Sequence, residues 1–246
     1  MSKRCCASFV LLVGLLGVGP SAGAASPTGP DPVVVVVGTL SPWWAGEPLA
    51  ARLRADGRQA WVFELPDLGL GDIRTSGRAL DDFVRSVLDR TGAARVDLVG
   101  HSQGGLVARE MVRRGGTELV DSVVALGTPH HGTYVADLVA LLGLGDCFGV
   151  VACQQMTRGS SYLAELNRDD DTWGPVEYTN IYTALDELVR PVASATQSGG
   201  ATDVLVQAQC PLRWVSHAGL LVDGTVYSGI DRALDHRRVE LDCWAL

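Results

Sequence analysis

Five consecutive valines, Val33–Val37, followed directly by Gly38, constrain the fold of this chain more than any other feature. β-Branched side chains crowd a helix but pack well on a pleated surface. A strand that is apolar at every position, rather than at alternate ones, has to be covered on both faces. That geometry belongs to a parallel sheet sandwiched between helices. The Ser/Pro/Gly-rich segment Ser26 to Pro32 sets where the run begins.

The chain beyond Gly38 alternates in the same sense. A helical stretch around Pro48 to Ala55 has Leu49 and Leu53 four apart and closes at Gly57, and Gln59 to Leu65 reads as the next strand. Ser76 to Arg90 gathers Leu80, Phe83, Val84, Val87 and Leu88 on one helical face, followed by strand Val96 to Val99. Leu106 to Arg114 is helical and stops at Gly115-Gly116, and further strands are expected at Ser122 to Leu126, Tyr178 to Thr183 and Arg213 to Ser216. The pattern predicts one α/β domain whose mostly parallel central sheet, about six strands, carries helices on both faces. The span from 130 to 175 breaks the rhythm with a helix-like Val135 to Leu144, two close cysteines and the acidic loop Asp169-Asp170-Asp171, and is read as a wall or lid of a binding site.

The N-terminus has the make-up of a secretory signal peptide: Lys3 and Arg4, the apolar run Phe9 to Val18, then Pro20 and Ala22-Gly23-Ala24. Residues 1–24 are assigned to it, and 25–246 to the α/β domain. The run falls short of the roughly 20 residues that span a bilayer, so no transmembrane anchor is expected. Cys5 and Cys6 precede the apolar run and would leave with it, which argues against a lipid anchor at the cleavage site. Four cysteines remain, Cys147, Cys153, Cys210 and Cys243, an even number that suits two disulfides in an exported protein. Of three possible pairings, the closeness of Cys147 to Cys153 favours that bond and leaves Cys210 with Cys243. Removing Lys3 and Arg4 takes the formal charge from -8 to about -10, which makes nucleic acid a poor partner. The expectation is an extracellular, monomeric protein.

The chemistry centres on Gly100-His101-Ser102-Gln103-Gly104, a G-x-S-x-G that leaves an apolar strand and opens a helix. A serine at so sharp a turn sits in a strained conformation, and glycines two positions either side remove side chains that would strike neighbouring backbone. The setting is that of an α/β-hydrolase, with Ser102 as nucleophile and the Gln103 amide, at a helix N-terminus, as one oxyanion donor. The partners of such a serine come in the order acid, then histidine. His101, His130 and His131 lie too early, leaving His217 and His236. His236 sits in the charged stretch Asp235-His236-Arg237-Arg238, so His217 is the expected base. Asp186, just past the strand Tyr178 to Thr183, is the expected acid, with Asp203 and Glu187 as alternatives. The second oxyanion donor is expected from the loop Gly38-Thr39-Leu40, at the Thr39 amide, with its hydroxyl assisting. Trp43, Trp44 and His101 are candidate substrate contacts, although ordinary helix packing would equally account for the tryptophans. The pair His130-His131 invites a metal, but no second ligand pair stands near it in sequence, so neither metal nor cofactor is expected.

Taken together, Val37-Gly38-Thr39, the stretch Gly100 to Ala108, Gly127-Thr128-Pro129-His130-His131-Gly132-Thr133 and Ser216-His217-Ala218-Gly219-Leu220 resemble the class 2 lipases of actinobacteria. The fungal lipase B group shares the Ser-Gln-Gly-Gly segment. The resemblance implies a secreted, cofactor-independent triacylglycerol lipase or esterase with Ser102, Asp186 and His217 as its triad and Thr39 and Gln103 at its oxyanion hole. One departure is that many relatives carry His-Gly after the first strand, where this chain has Val37-Gly38. The expected partner is a lipid or other ester, met in passing at an oil–water interface. Rival readings on the same fold are a short-chain esterase, a polyester hydrolase, an acyltransferase, a thioesterase, or an inactive binding protein.

Overall fold

The computed structural model describes residues 29–134, 139, 147 and 149–246. The signal-peptide assignment, and all of the expected helix at 135–144 except Val139, lie outside the described residues. The elements run β1 (Val33–Val36), α1 (Trp43–Ala55), β2 (Ala60–Phe63), α2 (Ile73–Thr91), β3 (Val96–His101), α3 (Gln103–Arg113), β4 (Val120–Leu126), α4 (Val151–Met156), α5 (Ser161–Leu166), β5 (Glu177–Tyr182), β6 (Thr202–Leu205), α6 (Val206–Gln209) and α7 (Gly224–Leu234). The six strands form one sheet in the order β2-β1-β3-β4-β5-β6, with every pairing parallel. The chain steps from β1 outward to β2 and then returns past β1 to β3, so the strand order reverses between β1 and β3. A crevice opens at the carboxyl ends of strands flanking such a reversal.

The valine run does what its composition demands. Side chains alternate across a strand, so Val34 and Val36 join Leu98, Ile73, Leu80, Val84, Leu106 and Met111 under α2 and α3. Val33 and Val35 join Val99, Val124, Leu49, Leu53, Val226 and Ile230 under α1 and α7. All five valines are fully buried, each contributing about 1.5 kcal/mol or more relative to exposure.

Two boundaries and one strand differ from expectation. Helix α1 starts at Trp43 and carries Pro48 inside it, and α3 starts at Gln103, directly after the serine. The segment Arg213 to Ser216 is not a strand: Trp214 stands 82% exposed, the Arg213 amide turns back to the Cys210 carbonyl, and the Arg213 guanidinium reaches Asp223. The sixth strand is instead Thr202–Leu205, an edge strand paired with β5 on one side only. Both cysteine pairs form as the spacing suggested, Cys147 with Cys153 and Cys210 with Cys243.

At the amino ends of the strands, opposite the crevice, Asp97 is buried in β3, and its Oδ1 has no partner among the described residues. Burial, followed by the neighbouring carboxylates of Asp121 and Asp31, pushes its pKa up to about 7. An acid with a raised folded pKa binds more protons folded than unfolded. The contribution of Asp97 to stability therefore falls from about pH 4, where the unfolded chain ionises, to about pH 7, and levels off above. Asp97→Asn is expected to add about 2 kcal/mol at pH 8 and little at pH 4. Urea titrations at the two pH values check this, and an equal effect at both would contradict the ionisation account.

Candidate active site

Ser102 stands between the end of β3 and the start of α3 with φ 55° and ψ -125°, a region that L-residues rarely occupy. Its strain, on the order of 1–3 kcal/mol, is held by the parallel sheet: the Ser102 amide donates to the Leu126 carbonyl at 2.9 Å. The flanking glycines are required by close approach. A Cβ on Gly104 would lie 2.1 Å from the Val36 carbonyl oxygen, and one on Gly100 2.6 Å from the Gly105 backbone. The serine is thereby raised at the carboxyl end of the sheet, beside the reversal between β1 and β3.

The two residues expected to serve it meet at the same edge. Asp186, in the turn after β5, accepts Nδ1 of His217 on Oδ2 at 2.8 Å and the amides of Leu188 and Val189 on Oδ1 at 2.9 and 2.7 Å. Both side chains are buried, 2% and 3% exposed. Because a carboxylate only accepts, Nδ1 carries the proton, and Nε2 keeps a lone pair for a base. Gly127, at the end of β4 with φ 54°, makes room for the pair: a Cβ there would fall 3.0 Å from Asp186 Oδ2 and 3.2 Å from His217 Nδ1. No hydrogen bond joins Ser102 Oγ to His217 among the described residues; such contacts often tighten only once substrate is present.

The loop after β1 turns sharply through Leu40, φ 55°, whose amide donates to the Leu68 carbonyl. The Thr39 and Gln103 amides find no acceptor among the described residues. The Thr39 hydroxyl donates to Gln103 Oε1 at 2.6 Å, tying the two candidate oxyanion donors together instead of pointing free into the site. Trp43 and Trp44, at the head of α1, are 55% and 63% exposed, which removes core packing as their explanation.

His101 is not where a substrate contact would be. Its ring is 4% exposed and turned inward, with Nε2 3.0 Å from the His217 carbonyl oxygen. Burial, then the neighbouring His217, lowers its pKa to about 3, so the ring is neutral. His130 is also buried, between Asn180 Oδ1 at 2.9 Å and Arg109 Nη1 at 3.2 Å, and its pKa is held well below the ordinary value by that burial. His131 lies 3.3 Å from Asp171, and no group of three or more metal-ligating side chains occurs among the described residues. His236 bridges Asp121 and Glu177 at the opposite edge of the sheet, where the Glu177 hydrogen bond raises its pKa. Asp203 bonds Asn180 Nδ2 in the sheet. Of the alternative acids only Glu187 comes to His217, and it meets the backbone, not the ring.

Comparison with known proteins gives the family and the fold. The family model for lipase (class 2) matches residues 78–217. A triacylglycerol lipase of Pseudarthrobacter phenanthrenivorans is 32% identical over 178 residues, covering 68% of this chain and 55% of the relative. A triacylglycerol lipase of Burkholderia plantarii is 32% identical over 178 residues, covering 68% and 49%. The chain thus spans about half the length of these relatives. Among solved structures, lipase B of Aspergillus fumigatus superposes with a TM-score of 0.75 at 22% identity over 92% of this chain and 57% of that one, a likeness of α/β-hydrolase fold.

Proposed function

The chain belongs to the class 2 lipase family, and from that premise we propose that it is a secreted serine hydrolase of carboxylic esters, acylglycerols in particular. One observation carries the reading: a strained, solvent-reachable Ser102 and a buried Asp186–His217 pair meet at the strand-order reversal of a parallel sheet. Ser102 Oγ attacks the ester carbonyl carbon while His217 Nε2 takes its proton. The oxyanion that forms sits against the Thr39 and Gln103 amides, which need no reorganisation to receive it. The intermediate collapses as His217 passes the proton to the leaving alcohol, giving an acyl-Ser102. Water, deprotonated by His217, then releases the fatty acid. Asp186 orients the imidazole and stabilises its cation. No step calls for a metal or cofactor.

Two disulfides favour an oxidising compartment, and no described helix is long and apolar enough to cross a membrane. The exposed Trp43, Trp44, Leu212, Trp214 and Trp244 suit brief contact with an oil–water interface. The full chain, assayed on p-nitrophenyl esters of short, medium and long acyl chains, is expected to turn over the long ones. Activity confined to short chains would make it an esterase.

A further inference from the structure

We propose that His101 and Glu187 are positioning residues that clamp the backbone of His217 from two sides and so register the base against the elbow serine. This rests on the reading of Ser102 as nucleophile and His217 as base. The His217 amide donates to Glu187 Oε2 at 2.9 Å, and the His217 carbonyl accepts from His101 Nε2 at 3.0 Å. With the Asp186 contact on the ring, every polar group of His217 but the reactive nitrogen is held.

The two clamps come from different parts of the fold. Glu187 follows the acid directly, so one turn after β5 fixes both the ring and the amide of the base. His101 precedes the nucleophile directly, and its ring packs against the His217 ring with centroids 4.7 Å apart. Any shift of the His217 loop relative to Ser102 must break the His101 contact, because His101 is locked inside β3.

The imidazole of His101 is a costly way to fill space. Among the described residues its buried Nδ1 has no partner, and an apolar side chain would fill the same volume with no such loss. A carbonyl oxygen only accepts, so Nε2 bears the proton, Nδ1 is left bare, and burial keeps the ring neutral. What offsets the orphaned nitrogen is the bond to His217, together with the packing of the two rings. The turn carrying His217, which leads into Ala218–Leu221, has no sheet partner of its own, so side chains must supply its anchorage.

The test compares two pairs of variants in the full chain, with kcat counted per active site titrated by a p-nitrophenyl phosphonate. Glu187→Ala is expected to lower kcat about tenfold and His101→Leu about 100-fold, with KM within about twofold for short and medium esters alike. Glu187→Gln keeps an acceptor and His101→Gln keeps a donor at the reach of Nε2, so each is expected to recover most of the loss. Glu187 is exposed, so its variants report even where a buried His101 replacement fails to fold. An unchanged kcat in folded Glu187→Ala overturns the clamp, as does a change confined to KM that varies with acyl length, which would return His101 to the substrate. Activity surviving in Ser102→Ala or His217→Ala would sink the underlying reading instead, so the two failures are distinguishable.

Discussion

Ser102→Ala is expected to lower kcat/KM for p-nitrophenyl esters by about ten-thousand-fold to a million-fold while leaving the folded structure intact. The magnitude comes from the division of labour at such a site. In the proposed mechanism the hydroxyl is the one protein group that bonds the acyl carbon, and without it the oxyanion donors and the binding surface retain just a residual advantage over water. Folding should hardly notice the change, because the Ser102 hydroxyl makes no hydrogen bond among the described residues and its amide bond to Leu126 survives in alanine. Alanine also inherits the strained φ of 55° at no greater cost. The measurement is initial rate against melting temperature on the same preparation. A melting temperature within a few degrees beside a vanished rate assigns the loss to chemistry, whereas a rate within tenfold of the parent would remove Ser102 as nucleophile.

How far the sequence alone reaches can be judged residue by residue. The valine run and the glycines of the motif were legible because each encodes a local necessity, two-faced burial in one case and close backbone approach in the other. Asp186 was reached from its place just past strand Tyr178 to Thr183, and His217 by chain order and the charged surroundings of His236; the fold brings the two together. Edge strand β6 was not legible. Thr202-Asp203-Val204-Leu205 comes after two glycines and has only half its length apolar, as befits a strand covered on one side. Arg213 to Ser216 imitated a strand because Trp214 and Val215 are good β-formers, yet β6 already closes that edge of the sheet and Trp214 faces solvent. Tertiary pairing overrides local preference in both cases. Glu187 and His101 were visible as residue types but not as contacts, since a side chain that grips backbone leaves no pattern in sequence. His236 had the right chain order for a base, and only the fold puts it at the wrong end of the sheet, between Asp121 and Glu177.

The second large effect falls on folding. Gly104→Ala is expected to destabilise the protein by more than about 3 kcal/mol, enough to cost a marginally stable domain most of its folded population. The added methyl would stand 2.1 Å from the Val36 carbonyl oxygen and 2.8 Å from both Val36 C and Val37 O. These are backbone atoms of the interior strand β1, hydrogen-bonded on both sides, and of the residue that follows it, so nothing at the end of a flexible side chain can swing away. The helix itself would have to retreat, and with it the Gln103 amide. Gly105→Ala meets mainly a side chain, Thr128, at 2.1 Å, so Thr128→Ala should recover part of its loss but none of that of Gly104→Ala. Gly71→Ala, whose nearest neighbour would be Asp67 at 3.8 Å, serves as the benign control. Urea unfolding of these variants separates the possibilities. If Gly104→Ala matched the control, α3 would not rest closely on β1, and the Gln103 amide would lose its claim to a fixed place at the oxyanion. If it failed alone while Gly105→Ala was rescued, the motif glycine would owe its presence to the backbone of β1, the same strand whose valines set the fold.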